Sequence, residues 1–373
     1  MRLRIKVFIT IAIMIISIIL STQIRSSIQN SLLICAEILI PSLFPFFIIS
    51  GILIDLKLDT IIPPPLCSFF LGLICGYPIG TKTVCHYYQN NLLNHTQAQM
   101  LLLCTANASP AFVILALGET ILKNKSLGMI LFLCQSINSL VIFLLFVPKK
   151  HRKPDSTFPE KRMTDTLFLN VKQSVDQILF VCGVTIVFGI CCDLILPLLN
   201  TNIAKWIGLI EILHGNSFFK QDDLILIATV LGFSGLCIWV QCIFFIQQTN
   251  LKISYLILGK IHAAITLPQY VSILISSSYS QKIISLFIII LTNILLACII
   301  KVKGCDYKHD FFKKHREMLR LLRARNKNSI QRTGSLPTQR NRGCRIFLPK
   351  IPVHTTQAYS ATAGTANKAI QQR

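Results

Sequence analysis

Runs of apolar residues about 20 positions long, separated by short polar patches, set the rhythm of this chain. The cleanest cover 5–24, 34–54, 127–147, 167–199 and 283–300, and less regular ones cover 100–122, 224–246 and 253–275. At the rise of an α-helix, each is long enough to cross a hydrocarbon core. The two-residue alternation of barrel strands is absent, and backbone amides in lipid must be satisfied within helices. The pattern therefore predicts an all-α fold, a polytopic transmembrane helical bundle with about eight to ten spans or half-spans.

Composition agrees with that reading. Of 373 residues, 53% are hydrophobic and only 14% charged, with a mean hydropathy of +0.61, as expected of a multi-pass protein of the cell membrane. Arg2, Arg4 and Lys6 ahead of the first apolar run imitate a signal peptide. That run is as long as a full span, however, and no small-x-small cleavage site follows it, so a retained first helix is expected. Most of the 14 cysteines lie inside apolar segments, where thiols behave as small hydrophobes. With no C-x-x-C and no H-E-x-x-H, neither a metal nor another cofactor is expected.

The sequence divides into a first helix (1–29), a first membrane repeat (30–147), a basic linker (148–166), a second membrane repeat (167–301) and a basic tail (302–373). From Lys301 onward the chain has 17 Lys or Arg against 3 Asp or Glu, so this end carries +14 of the net +22. Its segment FFKKHREMLRLLRAR (311–325) can form a short amphipathic helix on anionic headgroups, and 334–373 reads as disordered. No folded nucleic-acid reader accompanies this charge, and none is expected as a partner. The basic linker and the N-terminus both face the cytoplasm by the positive-inside rule. That placement needs an even number of crossings between them, and four candidates fit, with 61–88 dipping in and returning on one side.

The two halves share a layout, each opening with a long span, around Leu39 and Val184, and each carrying a glycine-rich interruption, at 75–80 and 232–237. Interrupted segments in corresponding halves point to a transporter built from repeats with re-entrant or broken helices. In GLICGYPIGTK, Gly76, Pro78 and Gly80 break an apolar run just before Lys82, exposing backbone that lipid cannot satisfy. A half-helix restarting there would aim its N-terminus into a cavity beside the Lys82 charge, an arrangement that suits an anion. TANASP adds Thr105, Asn107 and Ser109 ahead of Pro110. EILHG places Glu211, His214 and Gly215 in an apolar setting, and GFSGLCIWVQ runs from a second interruption to Gln241. An ionisable group at membrane depth is a functional candidate by its cost alone, and Glu211 is the foremost acid. Glu37 could face the same interior or a boundary. Asp176 and Asp193 are read as solvated segment ends, and His262 as an interhelical hydrogen-bonding group.

PSLFPFFIISGIL (41–53), CGYPIGTK (75–82), the Asn-containing stretch ending at Pro110, and Glu211 with GFSGL (232–236) resemble the sporulation integral membrane protein YlbJ family. The resemblance covers most of residues 30–265, and PSLFPFF with GYPIG is its most specific part. It implies nucleoside-recognition Gate domains related to concentrative nucleoside transporters, with inverted repeats and re-entrant hairpins. It also implies a role in endospore formation, moving dipicolinate across the outer forespore membrane into the forespore. The matching positions are Gly76, Tyr77, Pro78, Gly80, Lys82, Asn107, Pro110, Glu211, Gly215, Gly235 and Gln241. Where the family often has E-I-T-N-G, this chain has Leu213 and His214 in place of a hydroxyl and an amide, and Ser234 stands at the third glycine-rich position. The basic tail is not part of the family pattern.

The expected function is a carrier or facilitator for a small anionic or heteroaromatic solute, dipicolinate foremost, lodged between the two broken segments. The alternatives are a nucleoside or nucleobase transporter, or a sporulation membrane scaffold whose tail recruits a partner. A chain ending at Lys301 separates these, since a carrier keeps transport and a scaffold fails. An intramembrane enzyme is not expected, because no paired aspartates, Ser-His dyad or zinc motif occurs at usable spacing.

Overall fold

The computed structural model describes residues 2–148, 163–215 and 218–302, and no strand occurs among them. Most of the linker, the amphipathic segment 311–325 and the rest of the tail lie outside the described residues. Helix α1 (Arg2–Ile19) is followed by α2 (Ser21–Ile34), a π-helical turn (Cys35–Leu39) and α3 (Ile40–Asp55), which run on as one 35-residue helix. The polar stretch between the first two apolar runs is thus helical and not a connector, since Ser27 and Ser31 are buried side chains of α2. The π turn falls just before Pro41 and Pro45, whose missing amides favour a locally widened ladder.

Two 11-residue helices follow, α5 (Pro64–Ile74) and α6 (Ile79–Gln89), after the single turn α4 (Leu58–Ile61). Each is about 16 Å long and too short to span a bilayer. Prolines at its first positions start α5, where an absent donor does no harm. Helix α7 (His95–Leu102) opens on a capping box formed by Asn94 and Gln97. The chain then unwinds until a π-helix (Ala111–Ile121), so the apolar run 100–122 is a broken helix and not one span. Helix α8 (Lys125–Phe146) is intact and packs closely on that π-helix where Gly118 meets Gly128.

The second half opens with α9 (Met163–Ile195), and its single turns α10 (Thr201–Ala204) and α11 (Ile212–Gly215) flank a 3-10 segment (Lys205–Leu209). Helices α12 (Leu224–Phe233) and α13 (Gly235–Ile246) form one line broken at Ser234. Helix α14 (Ile253–Ile275) is intact and the last described helix, α15, covers Tyr279–Val302. Six helices among the described residues are long and apolar enough to cross a membrane, and three shorter apolar helices accompany them. Large side chains such as Leu144, Leu145, Phe168, Leu179 and Phe287 are exposed along them, as lipid-facing positions must be.

The α2–α3 helix and α9 lie side by side and antiparallel. Ser31 meets Gly189, Cys35 donates to the Cys182 carbonyl, and Gly51 meets Asn170. Asn170 also donates to Asp55 at 2.9 Å. Each half then continues in the same order, with a short interrupted pair, a broken longer helix and an intact helix. By that order the break at Ser234 stands opposite 103–110, and the break at 75–78 opposite 210–211. The sequence reading had paired 75–80 with 232–237, because only those two stretches are glycine-rich.

Candidate functional site

Two backbone crossings form the heart of the molecule. In the first, α5 and α6 fold back on each other around Gly76, which has φ +78°, and the cis peptide Tyr77–Pro78. Gly72 and Gly80 face one another across this hairpin, with the Thr105 carbonyl wedged against both, so that neither position has room for a Cβ. Gly76 is equally confined, since a Cβ there would lie 2.7 Å from the Ser109 amide. Only glycine permits this approach and, at Gly76, the left-handed backbone.

Polar side chains close the circuits that the break opens. The Tyr77 amide donates to the Asn107 carbonyl at 2.7 Å, and the Gly80 amide donates to the Gly76 carbonyl at 3.3 Å. Asn107 donates to the Cys104 carbonyl at 2.8 Å and accepts from Ser139 at 2.8 Å. Gln135 bonds both backbone groups of Ala108, accepting at 3.2 Å and donating at 2.9 Å. Ser109 accepts from the Phe112 amide and starts the π-helix with Pro110. These freed backbone groups of Tyr77, Gly80, Cys104, Ala108 and Phe112 therefore have partners inside the protein, as unwound chain at membrane depth requires.

The second crossing is built likewise. Ser234 and Gly235 both adopt positive φ, 69° and 71°. The Cys237 amide donates to the Ile210 carbonyl at 3.0 Å, and the Trp239 indole takes up the Phe233 carbonyl at 2.8 Å. Gly208 and Gly215 touch backbone to backbone beside it. Here the side chains are ionisable. Glu211 accepts from the His214 amide at 2.7 Å and lies 2.8 Å from its ring Nδ1. Gln241 reaches the Cys237 sulfur at 3.4 Å, and its Oε1 is buried without a partner.

A residue absent from the sequence-based candidates joins the two crossings. Lys260 on α14 is only 7% exposed. Its ammonium donates to the Ala106 carbonyl of the first crossing and to the Ser234 hydroxyl of the second, the latter at 2.9 Å. It also sits 5.9 Å from the centre of the Tyr77 ring. No carboxylate among the described residues forms an ion pair with it. The signal was present in the sequence as a lone lysine within the apolar run 253–275, although attention fell on its neighbour His262. Both ring nitrogens of His262 are buried without a hydrogen-bond partner, contrary to the interhelical bond expected of it.

Lys82 is placed differently from the expectation. Its ammonium donates to Gln177 of α9 at 3.1 Å, and the residue is half-buried. With the amides of Tyr77 and Gly80 already bonded, the positive charge where the crossings meet is that of Lys260. Asp193 lies near the end of α9 with its side chain 27% exposed, and 4.0 Å from His214. The other sequence candidates gather as two groups: Gly76, Tyr77, Pro78, Gly80, Asn107, Ser109 and Pro110 at the first crossing, and Glu211, His214, Gly215, Gly235 and Gln241 at or next to the second. Lys260 bonds Ala106 of the first group's segment and Ser234 of the second's, so the groups adjoin.

No family model matches the chain, and no solved structure matches it. Among curated proteins it is similar to the sporulation integral membrane protein YlbJ of Bacillus subtilis (strain 168), 22% identical over 280 residues that cover 58% of this chain and 69% of that protein. The resemblance read from the motifs is thereby borne out, and the chain is a multi-pass integral membrane protein with a sporulation-related relative.

Proposed function

We propose that the protein is a carrier or facilitator for a small organic anion, dipicolinate foremost, held where the two crossings meet. The observation that carries this reading is the Lys260 ammonium, buried between both crossings with hydrogen-bond acceptors but no carboxylate. An uncompensated charge at membrane depth costs several kcal/mol, and a carboxylate brought in by a solute relieves it. Dipicolinate has two carboxylates on a flat heteroaromatic ring, and a buried ammonium suits such a group as a charged hydrogen-bond donor. The antiparallel α2–α3 and α9 helices, and the shared order of breaks, support a carrier made of two inverted repeats that rock around this point. The sporulation role of the relative supports the choice of solute.

A nucleoside or nucleobase is the second reading. It is favoured by Gln241, whose unpartnered Oε1 could accept from a hydroxyl or an amine. Uptake of labelled dipicolinate and of labelled uridine and adenosine into liposomes containing the purified chain separates the two. The carrier reading expects saturable dipicolinate uptake that unlabelled nucleosides leave unchanged. Nucleoside uptake insensitive to dipicolinate would transfer the site to the second reading, and uptake of neither would remove both.

A further inference from the structure

A line of three ionisable side chains runs from the interior of the second crossing to its edge. Glu211 is 1% exposed, and its Oε2 lies 2.8 Å from His214 Nδ1. On the far side of the ring, His214 Nε2 is 4.0 Å from Oδ1 of Asp193 on α9, whose side chain is 27% exposed. The ring is pressed on α9 at Gly189, where a Cβ would come within 2.7 Å of its Cε1. Any larger residue there would push the imidazole out of line, so the fold holds it between two carboxylates.

The groups facing this line come from every neighbouring element. Among the described residues they include Ser31 and Cys35 on the α2–α3 helix, Cys192 and Asp193 on α9, Cys237 on α13 and Tyr77 at the hairpin. Neither carboxylate forms an ion pair with Lys or Arg among the described residues. A carboxylate this deep is stabilised by taking a proton or by an imidazolium beside it. No group of three or more His, Cys, Asp or Glu side chains among the described residues is arranged to hold a metal ion.

We propose that Asp193, His214 and Glu211 form a proton relay that couples solute movement to a proton gradient, which rests on the carrier reading above. Asp193 in its acid form, after a small side-chain rotation, gives its proton to His214 Nε2. The ring then releases its Nδ1 proton to Glu211 Oε2. One proton enters and one leaves the imidazole, which ends in the other tautomer; the reverse transfers, Glu211 to Nδ1 and Nε2 to Asp193, restore it when Glu211 is unloaded. Glu211 becomes neutral, and Asp193 is left as the carboxylate, to be reprotonated from the aqueous edge. His214 is the residue at which this chain departs from the motif it resembles, so the relay is a property of this sequence.

The test uses the full chain in liposomes with labelled dipicolinate as the probe. Counterflow at equal pH on both sides reads the carrier alone, whereas accumulation under an imposed proton gradient reads the coupling. Asp193→Asn should keep wild-type counterflow and lose gradient-driven accumulation. His214→Asn should lose the same response together with part of the counterflow. A proton-driven response retained in Asp193→Asn and His214→Asn, or a sodium gradient that drives accumulation instead, would overturn the relay and leave the carrier reading standing. If the wild type shows no counterflow, the carrier reading fails by itself. The relay is then judged by infrared difference spectra of the solute-free protein between acid and neutral pH. A pH-responsive carboxyl band that disappears in Glu211→Gln and is altered in Asp193→Asn supports it, and the absence of such a band overturns it.

Discussion

The two crossings use the same device for different ends. Both interrupt a helix with positive-φ residues and let one unwound segment hydrogen-bond to another, through Tyr77 and Asn107 in the first and Cys237 and Ile210 in the second. In the first, the freed backbone is closed by neutral side chains, Asn107, Gln135, Ser109 and Ser139. In the second, Glu211 closes the His214 amide and lies against its ring, so the side chains there are of ionisable types. Unwound backbone at membrane depth thus needs only neutral amides and hydroxyls to persist. The ionisable pair is an addition that stability does not require, and this asymmetry assigns shape to one crossing and charge handling to the other. Lys260 belongs to neither alone, since it donates to both.

If the first crossing is a matter of shape, its glycines are its weak point. Gly80→Ala should give the largest loss, about 2–4 kcal/mol, because the new methyl meets the Thr105 carbonyl and the Gly72 Cα, both backbone. The measurement is the melting temperature of the detergent-purified protein, and a variant as stable as wild type would dissolve the tight-crossing picture. Gln135→Leu comes next. It strands the buried amide and carbonyl of Ala108 and should cost about 2–3 kcal/mol in the same assay. Hydrogen exchange at Ala108 should rise with it. Lys82→Ala should have the smallest effect, below about 1 kcal/mol, since it removes one hydrogen bond to Gln177 from a half-buried side chain. It should also leave solute uptake close to wild type. A strong uptake defect in Lys82→Ala would return the anion site to α6 and break the division drawn between the crossings.

How far the sequence revealed this depends on the kind of signal. Helix interruptions were legible because glycine and proline act locally. Gly76 with Pro78, the TANASP stretch and GFSG each mark a real break, and the all-helical membrane fold followed from apolar run length. Continuity was less legible. STQIRSSIQN looks like a connector because it is polar, yet it is helical because Ser27 and Ser31 have a partner surface on α9 that no local pattern reveals. The candidate site was recovered as two lists without their hinge. Lys82 drew notice through its neighbours in the chain, whereas Lys260 is central through neighbours in space, Ala106 and Ser234, which lie 154 and 26 residues away. The relation of Asp193 to His214 was hidden for the same reason, since it exists only after α9 packs beside the second crossing.

The central claim is that one buried ammonium, shared by both crossings, holds the anion. Equilibrium binding of labelled dipicolinate to the purified Lys260→Met variant tests it most directly, beside its melting temperature. Methionine keeps most of the side-chain volume and removes the buried charge, a gain that offsets the stranded Ala106 carbonyl, so the fold should stay within about 2 kcal/mol of wild type while binding is lost. A folded Lys260→Met protein that binds dipicolinate as tightly as wild type would contradict the account.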